Sequence, residues 1–448
     1  MRNAMKTQKI SVVLFSLMCA GLAHAAPYTI TDLGTLGGKQ SYAYGINNSG
    51  LVVGHSSGPE TADTTDAAGT LEFAARAFLF NGTTMSQLGS VGHLGSNASY
   101  GRSINDSGMV VGLSSVNIGT ATAPFYSPRG FYFDGTTMTN IGLPPNGITA
   151  AVVAINNSNQ IAGYGEIKTK IDDQEYANQR PFIYDQTSNT FTILPTFDGD
   201  VTKVADQAFS INNAGTVVGS ASKLIDGNYY THAYVFPAGA SALTDLGTVV
   251  PSQKHSSVAT DINDAGKVVG YSDTDGISIQ GTYLAHGFLY TPGESGLTDL
   301  GYLSDVKKDS RAIAINNHDQ IVGVSVVDVV ISNGLQASDL NHAFLSQVDS
   351  GTRKMYDLNT MLSCDDQKNW ILVEAQNIND NGQIVGVASN SAGQVRAFLL
   401  TPPAGEKSGT VQSCPAPSTP DSGGGGGGFG AGLLAVLAGL GLKRRALR

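Results

Sequence analysis

The chain has 448 residues, 55 of them glycine, with 41% hydrophobic and only 14% charged. That balance excludes a disordered polyelectrolyte and a helix-rich charged protein, and favours short strands joined by turns. Arg2, Lys6, Lys9, Lys443, Arg444, Arg445 and Arg448 stand at the two ends, so residues 27 to 422 hold 19 basic against 36 acidic groups. With no cluster of Lys and Arg to meet phosphates, nucleic acid is excluded as a partner.

Residues 1 to 25 read as a secretory signal peptide. Arg2, Lys6 and Lys9 form the charged region, Ile10 to Leu22 the apolar stretch, and Ala23-His24-Ala25 a small-x-small cleavage site. About 13 apolar residues fall short of the ~20 that span a bilayer. Cleavage removes Cys19 and leaves Cys364 and Cys414, the candidate disulfide of an exported protein.

A repeat fills residues 27 to 400. The pattern Ile-Asn-(Asn/Asp)-x-(Gly/Asn/Asp)-x-(Val/Ile)-(Val/Ala)-Gly begins at Ile46, Ile104, Ile155, Ile211, Ile262, Ile315 and Ile378. Between successive copies come a basic residue, a small residue and an aromatic. The basic residues are Arg76, Arg129, Arg180, His232, His286, His342 and Arg396, and Phe or Tyr follows two residues later. A third element ends in Leu-Gly or a relative of it, as in Asp245-Leu246-Gly247 and Asp299-Leu300-Gly301; an extra copy, Thr31-Asp32-Leu33-Gly34, opens the region.

Each unit therefore supplies four short strands. Asn and Asp bond their own backbone in the turns, and Gly takes positive φ there. Four antiparallel strands repeated about every 53 residues predict an all-β, seven-bladed propeller. The strand Tyr28 to Gly34 is expected to complete the last blade and close the ring without a free edge. Three residues before each Ile stands Ala43, Gly101, Val152, Ala208, Ala259, Ala312 or Ala375, small in six copies, as crowding around a central axis would demand.

These motifs, Asp32 to Gly38 (Asp-Leu-Gly-Thr-Leu-Gly-Gly), Ile-Asn-x-x-Gly-x-Val-Val-Gly and His-Ala-Phe, resemble the HAF family of extracellular repeats over residues 28 to 400. The resemblance implies an extracellular setting and carries no established activity. Four units have Arg where the family name leads one to expect His, so the position calls for a hydrogen-bonding cation. A structural bond repeated in every unit, to the Asp, Asn or Gln before Leu-Gly or to a turn carbonyl, explains all seven without a ring of ligands.

Function in a repeat protein sits where the units differ. The segments between Val-Val-Gly and the aromatic, and between Leu-Gly and the next Ile-Asn, vary in length and emerge on one face of a propeller. They present Glu60, Asp63 and Asp66, then Asp172, Asp173, Glu175 and Tyr176, then Asp226, Tyr229 and Tyr230. The last and longest adds Asp365, Asp366 and the sole tryptophan, Trp370. The ligand-binding candidates are Asp172, Asp173, Tyr176, Tyr229, Tyr230, Asp365, Asp366 and Trp370, since rings beside carboxylates suit a carbohydrate or a protein partner. No catalytic residue and no cofactor stand out. Asp261 to Gly266 resembles a calcium loop in part but puts Ala265 where an oxygen donor belongs, and turn formation accounts for it.

Residues 401 to 422 are a Pro/Ser/Thr-rich linker. Residues 423 to 448 run through Gly423 to Gly428, an apolar stretch from Phe429 to Leu442, and Lys443-Arg444-Arg445. This layout resembles the GlyGly-type C-terminal sorting signal of Gram-negative exported proteins, which implies cleavage by a rhomboid-type protease and travel to the cell surface by type II secretion. A permanent inner-membrane anchor facing the periplasm is the alternative, for which fourteen residues are short. The expected function is binding of a glycan, matrix or envelope protein through the variable face. A secreted hydrolase or lyase using loop carboxylates over the central channel is the rival, and a purely structural envelope component the third reading.

Overall fold

The computed structural model describes residues 26–59, 75–89, 98–120, 126–199, 201–202, 204–277, 282–332 and 336–414. Residues 1–25, expected to be a signal peptide, and 423–448, expected to be a sorting segment, lie outside the described residues, as do Glu60, Asp63 and Asp66. Seven four-stranded antiparallel sheets are arranged as the blades of a β-propeller. Blade 1 runs outward through Ser41–Ile46, Val52–Ser57, Ala75–Phe80 and Met85–Gln87. Blade 7 contains Trp370–Ile378, Ile384–Asn390 and Val395–Thr401, and its outermost strand is Thr29–Asp32, with Thr29 opposite Thr401 and Asp32 opposite Phe398. The ring is closed by the chain's first strand, as the displaced opening copy predicts.

Two of the repeated motifs explain each other. The Gly of Val-Val-Gly and the aromatic of the basic-small-aromatic triplet are cross-strand partners in all seven blades, as in Gly54 with Phe78 and Gly270 with Phe288. A Cβ on Gly270 would collide with the Val258 carbonyl and the Phe288 ring, and the other six glycines meet the corresponding carbonyl of their inner strand. Only glycine lets the ring lie across the second strand at this depth.

The inner strand carries a bulge in every blade. Its register against the second strand slips between residues 43 and 45 in blade 1 and at the equivalent place in the other six. The extra residue is Tyr44, Arg102, Val153, Phe209, Thr260, Ile313 or Gln376. A bulge re-aims the side chains around it, so the small residue and the Ile three positions later both enter the core. The small residue is required by a neighbour and not by the axis. A Cβ on Gly287 would contact Ala312, and one on Gly130 would strike Val152, which places the start of each inner strand against the third strand of the preceding blade. The buried clusters accordingly span adjacent blades.

Variable segments expected to be loops are in part extended hairpins. Gln160–Ile171 pairs with Gln174–Asp185, and Val217–Ile225 with Asn228–Phe236. Both end in two-residue turns with positive φ at each position, Asp172-Asp173 and Asp226-Gly227, which is the turn geometry that matches strand twist. The last interblade connection holds short helical turns at Leu358–Met361 and Asp366–Asn369, and Cys364 is bonded to Cys414. Among the described residues no helix is long and apolar enough to cross a membrane.

Candidate functional site: the axial cavity

The first Asn of each turn is the tie between blades. Its Nδ2 donates to the main-chain oxygen of the equivalent Asn in the next blade, from Asn47 to Asn105, on through Asn156, Asn212, Asn263, Asn316 and Asn379, and back to Asn47, at 2.9 to 3.2 Å. Its Oδ1 accepts from its own turn, as from the Ser49 and Leu51 amides at Asn47. The next residue forms a second closed ring. Each main-chain NH donates to the side-chain oxygen of the following blade along Asn48, Asp106, Asn157, Asn213, Asp264, Asn317 and Asp380, at 2.9 to 3.0 Å. Asn263 and Asp264, within the calcium-like stretch, are thus members of these rings. Among the described residues no group of three or more His, Cys, Asp or Glu is placed to hold a metal ion.

Inside the rings lies a cavity of about 470 Å³ on the propeller axis, within the ~300–1,000 Å³ range of small-ligand sites. All seven bulge residues line it, together with Tyr164, the turn residues and Asp261. Tyr44, Arg102, Tyr164 and Phe209 give blades 1 to 4 an aromatic and cationic wall, with Tyr164 edge-on to Phe209 at 6.5 Å. Thr260, Ile313 and Gln376 face them from blades 5 to 7. The Thr260 hydroxyl, within donating distance of the main-chain oxygens of both Ala312 at 3.0 Å and Val269 at 3.2 Å, is committed to the fold.

Further along the inner strands the aromatic wall is packed solid. His55 stacks on Tyr42 at 4.7 Å and on Tyr44 at 5.5 Å, and meets Tyr100 edge-on at 4.9 Å. Burial, reinforced by the charge of Arg102, pushes the His55 imidazole down to about 3, so it is neutral at physiological pH. Burial pushes the Tyr44 phenol up to about 12 against the opposing pull of Arg102. On the other side burial raises the Glu374 carboxyl, while the charge of Arg311 and a hydrogen bond from Gln376 pull it down.

Asp261 is a tie rather than a free acid. Its Oδ1 accepts from the Ser210 hydroxyl at 2.7 Å and its Oδ2 from the Ile315 amide at 2.9 Å, joining blades 4, 5 and 6. Burial raises its carboxyl to about 6, against those hydrogen bonds. A folded-state value above the unfolded one favours the folded protein fully below about pH 4, and the benefit disappears as pH rises through about 6. The stability of the protein relative to Asp261→Asn should therefore fall between about pH 4 and about pH 7 and be flat above that, read from melts across this range. A difference that does not change with pH would show that Asp261 stays ionised.

The seven repeated basic residues bind within the fold. His232, His286 and His342 pair through Nδ1 with Asp245, Asp299 and Asp357, the residues before Leu-Gly, at 3.0, 2.7 and 2.7 Å. Arg76 donates to Gln87, Arg129 to the Ile148 carbonyl, Arg180 to the Leu194 carbonyl and Arg396 to the Lys39 carbonyl. The loop candidates are not gathered into one site. Asp172 and Asp173 form the exposed tip of the blade 3 hairpin beside Tyr176, with Asp173 paired to Lys170. Tyr229 and Tyr230 sit on the blade 4 hairpin. Across the ring, Asp365 pairs with Lys368, Asp366 with the Ser363 hydroxyl, and Trp370 packs against the blade 7 core. The cavity wall was missed because its signal is inverted: the position two before each Ile differs in every unit while the small residue before it and the Ile after it recur.

No curated protein matches the chain. Among solved structures it is similar to a polysaccharide lyase, Uly1, at 8% identity over 84% of this chain and 99% of that one, with a TM-score of 0.44. A protein of unknown function from Dyadobacter fermentans matches at 9% identity, over 83% and 99%, with a TM-score of 0.38. A PL25 ulvan lyase matches at 10% identity, over 70% and 77%, with a TM-score of 0.34. The family model described as a protein of unknown function, DUF3466, matches residues 91–197 and 195–400, and the chain belongs to that family.

Proposed function

We propose that this protein is an exported, surface-associated binding propeller whose ligand is a saccharide held in the axial cavity. The observation that carries this reading is the contrast between the bulge position and the small, Ile and Asn positions of the same strand and turn. Ile, Asn and the small residue recur because the fold needs them. The bulge residues, which line the cavity, are seven different residue types. A purely structural channel would repeat its lining as it repeats its rings.

The chemistry of the lining suits a sugar. Rings of Tyr164 and Phe209 offer faces for the apolar side of a pyranose, and the amide and carboxylate rim offers partners for hydroxyls. Asp261, with both oxygens engaged between blades, favours binding over acid-base hydrolysis.

The test is a thermal melt of the purified protein against oligosaccharides. A ligand at one hundred times its dissociation constant adds about 2.7 kcal/mol to stability. Phe209→Ala should weaken the response about tenfold in affinity, equivalent to ~1.4 kcal/mol, while Tyr229→Ala on the blade 4 hairpin should leave it unchanged. Loss of binding in Tyr229→Ala with full binding in Phe209→Ala would move the site to the variable face.

A further inference from the structure

One cavity residue has a charge that no carboxylate among the described residues pairs with. Arg102 occupies the bulge of blade 2, with its guanidinium 4.8 Å from the Tyr44 ring centre and 5.9 Å from that of Tyr100. Its Nε is buried and has no hydrogen-bond partner. Among the described residues it forms no ion pair with a carboxylate, whereas the other cation of the inner strands, Arg311, lies over Tyr271 and within the field of Glu374. The charge of Arg102 is felt by Tyr44, His55 and Tyr164, three side chains from blades 1 and 3 that flank it. The planar fork of donors on a guanidinium that lines the cavity matches a carboxylate with two parallel bonds.

The rim has the opposite sign. Asp106, Asp264 and Asp380 stand among the Asn residues of the second ring, with their Oδ2 atoms accepting from the Asn amides beside them, as Asp106 does from Asn48 at 3.3 Å and Asn157 at 2.9 Å. The cavity therefore has a cationic and aromatic wall on blades 1 to 4 and an anionic mouth. A wholly anionic ligand is repelled by such a rim, and a wholly neutral one leaves Arg102 unpaired.

Resting on the saccharide reading above, we infer that the axial cavity takes a sugar bearing a carboxylate, which enters acid first, pairs with Arg102, and leaves its hydroxyls against the Asp106, Asp264 and Asp380 rim. Tyr44 backs the guanidinium and holds the fork in orientation, so it is a positioning residue for the anion.

The experiment titrates oligomers of galacturonate, glucuronate and mannuronate, each beside the neutral oligomer of the same ring, with a sulfated galactan as a further arm. At least one uronate should bind tenfold or more tightly than its neutral counterpart. Arg102→Gln should bring the two within threefold, and Arg102→Lys, which keeps the charge and loses the fork, should fall between. Equal affinity for acidic and neutral oligomers in the unmodified protein, or a preference that survives Arg102→Gln with an unchanged melt, would overturn the assignment and leave the saccharide reading standing. Preference for the sulfated arm over every uronate overturns the carboxylate. Failure of every oligomer to bind overturns both readings together.

Discussion

Phe288→Ala should lower the stability of the protein by about 3–5 kcal/mol, the range for emptying a buried aromatic site. Phe288 is fully buried and belongs to a cluster with Val218 and Ala233 of blade 4 and Ala259, Ile262 and Val268 of blade 5. Its loss opens a cavity between two blades rather than inside one. The Gly270 backbone under the ring cannot collapse into the space, because it is fixed by ladder bonds to both neighbouring strands. Urea unfolding should show the midpoint falling while the slope stays constant. A loss below about 1 kcal/mol would mean that the blades re-pack across the gap. Gly270→Ala probes the same contact from the other side, since its methyl would be driven into the Val258 carbonyl and the Phe288 ring.

Replacing both Cys364 and Cys414 by serine should cost about 4 kcal/mol, the loop-closure value for the 50-residue separation. The bridge does more than shorten a loop. Residues 402 to 414 return across blades 6 and 7, where the Lys407 carbonyl accepts from Gln320, the Gln412 amide donates to the Thr360 carbonyl, and the Thr410 amide donates to the Ala26 carbonyl. The Tyr28 amide in turn donates to the Met361 carbonyl. These bonds hold the start of Thr29–Asp32, the strand that closes the ring. Urea unfolding with and without reductant should reproduce the loss in the unmodified protein and show none in the double variant. A reductant effect under about 1 kcal/mol would show that the strand pairing of Thr29 to Asp32 closes the ring unaided.

The architecture was legible because the repeat is written in residues with obligatory backbone roles. Asn47 and its equivalents, Gly54 and its equivalents, and the displaced Asp32-Leu33-Gly34 copy led to the blade count and to the split last blade. The cavity wall was not legible, for a physical reason. Strict alternation along an inner strand puts Ala43 and Ile46 on opposite faces, yet both are buried, because the bulge at Tyr44 inserts one residue between them. A period of two therefore misassigns every residue on one side of the bulge. Trp370 and the Asp residues drew attention through their chemistry and their place in long segments, whereas Arg102 sits in a strand that reads as framework.

The second ring also sets a rule of parity. Asp can only accept and Asn can do both, so the comfortable order around the mouth is strict alternation of acid and amide. An odd circle cannot alternate throughout. Reading Asn48, Asp106, Asn157, Asn213, Asp264, Asn317 and Asp380 in turn, each acid lies between two amides, and the one seam of like neighbours is Asn157 beside Asn213. Two amides at a seam are tolerable, because one donates where the other accepts; two carboxylates there would repel. Seven blades thus admit at most three acids on this circle, and the chain carries that full complement.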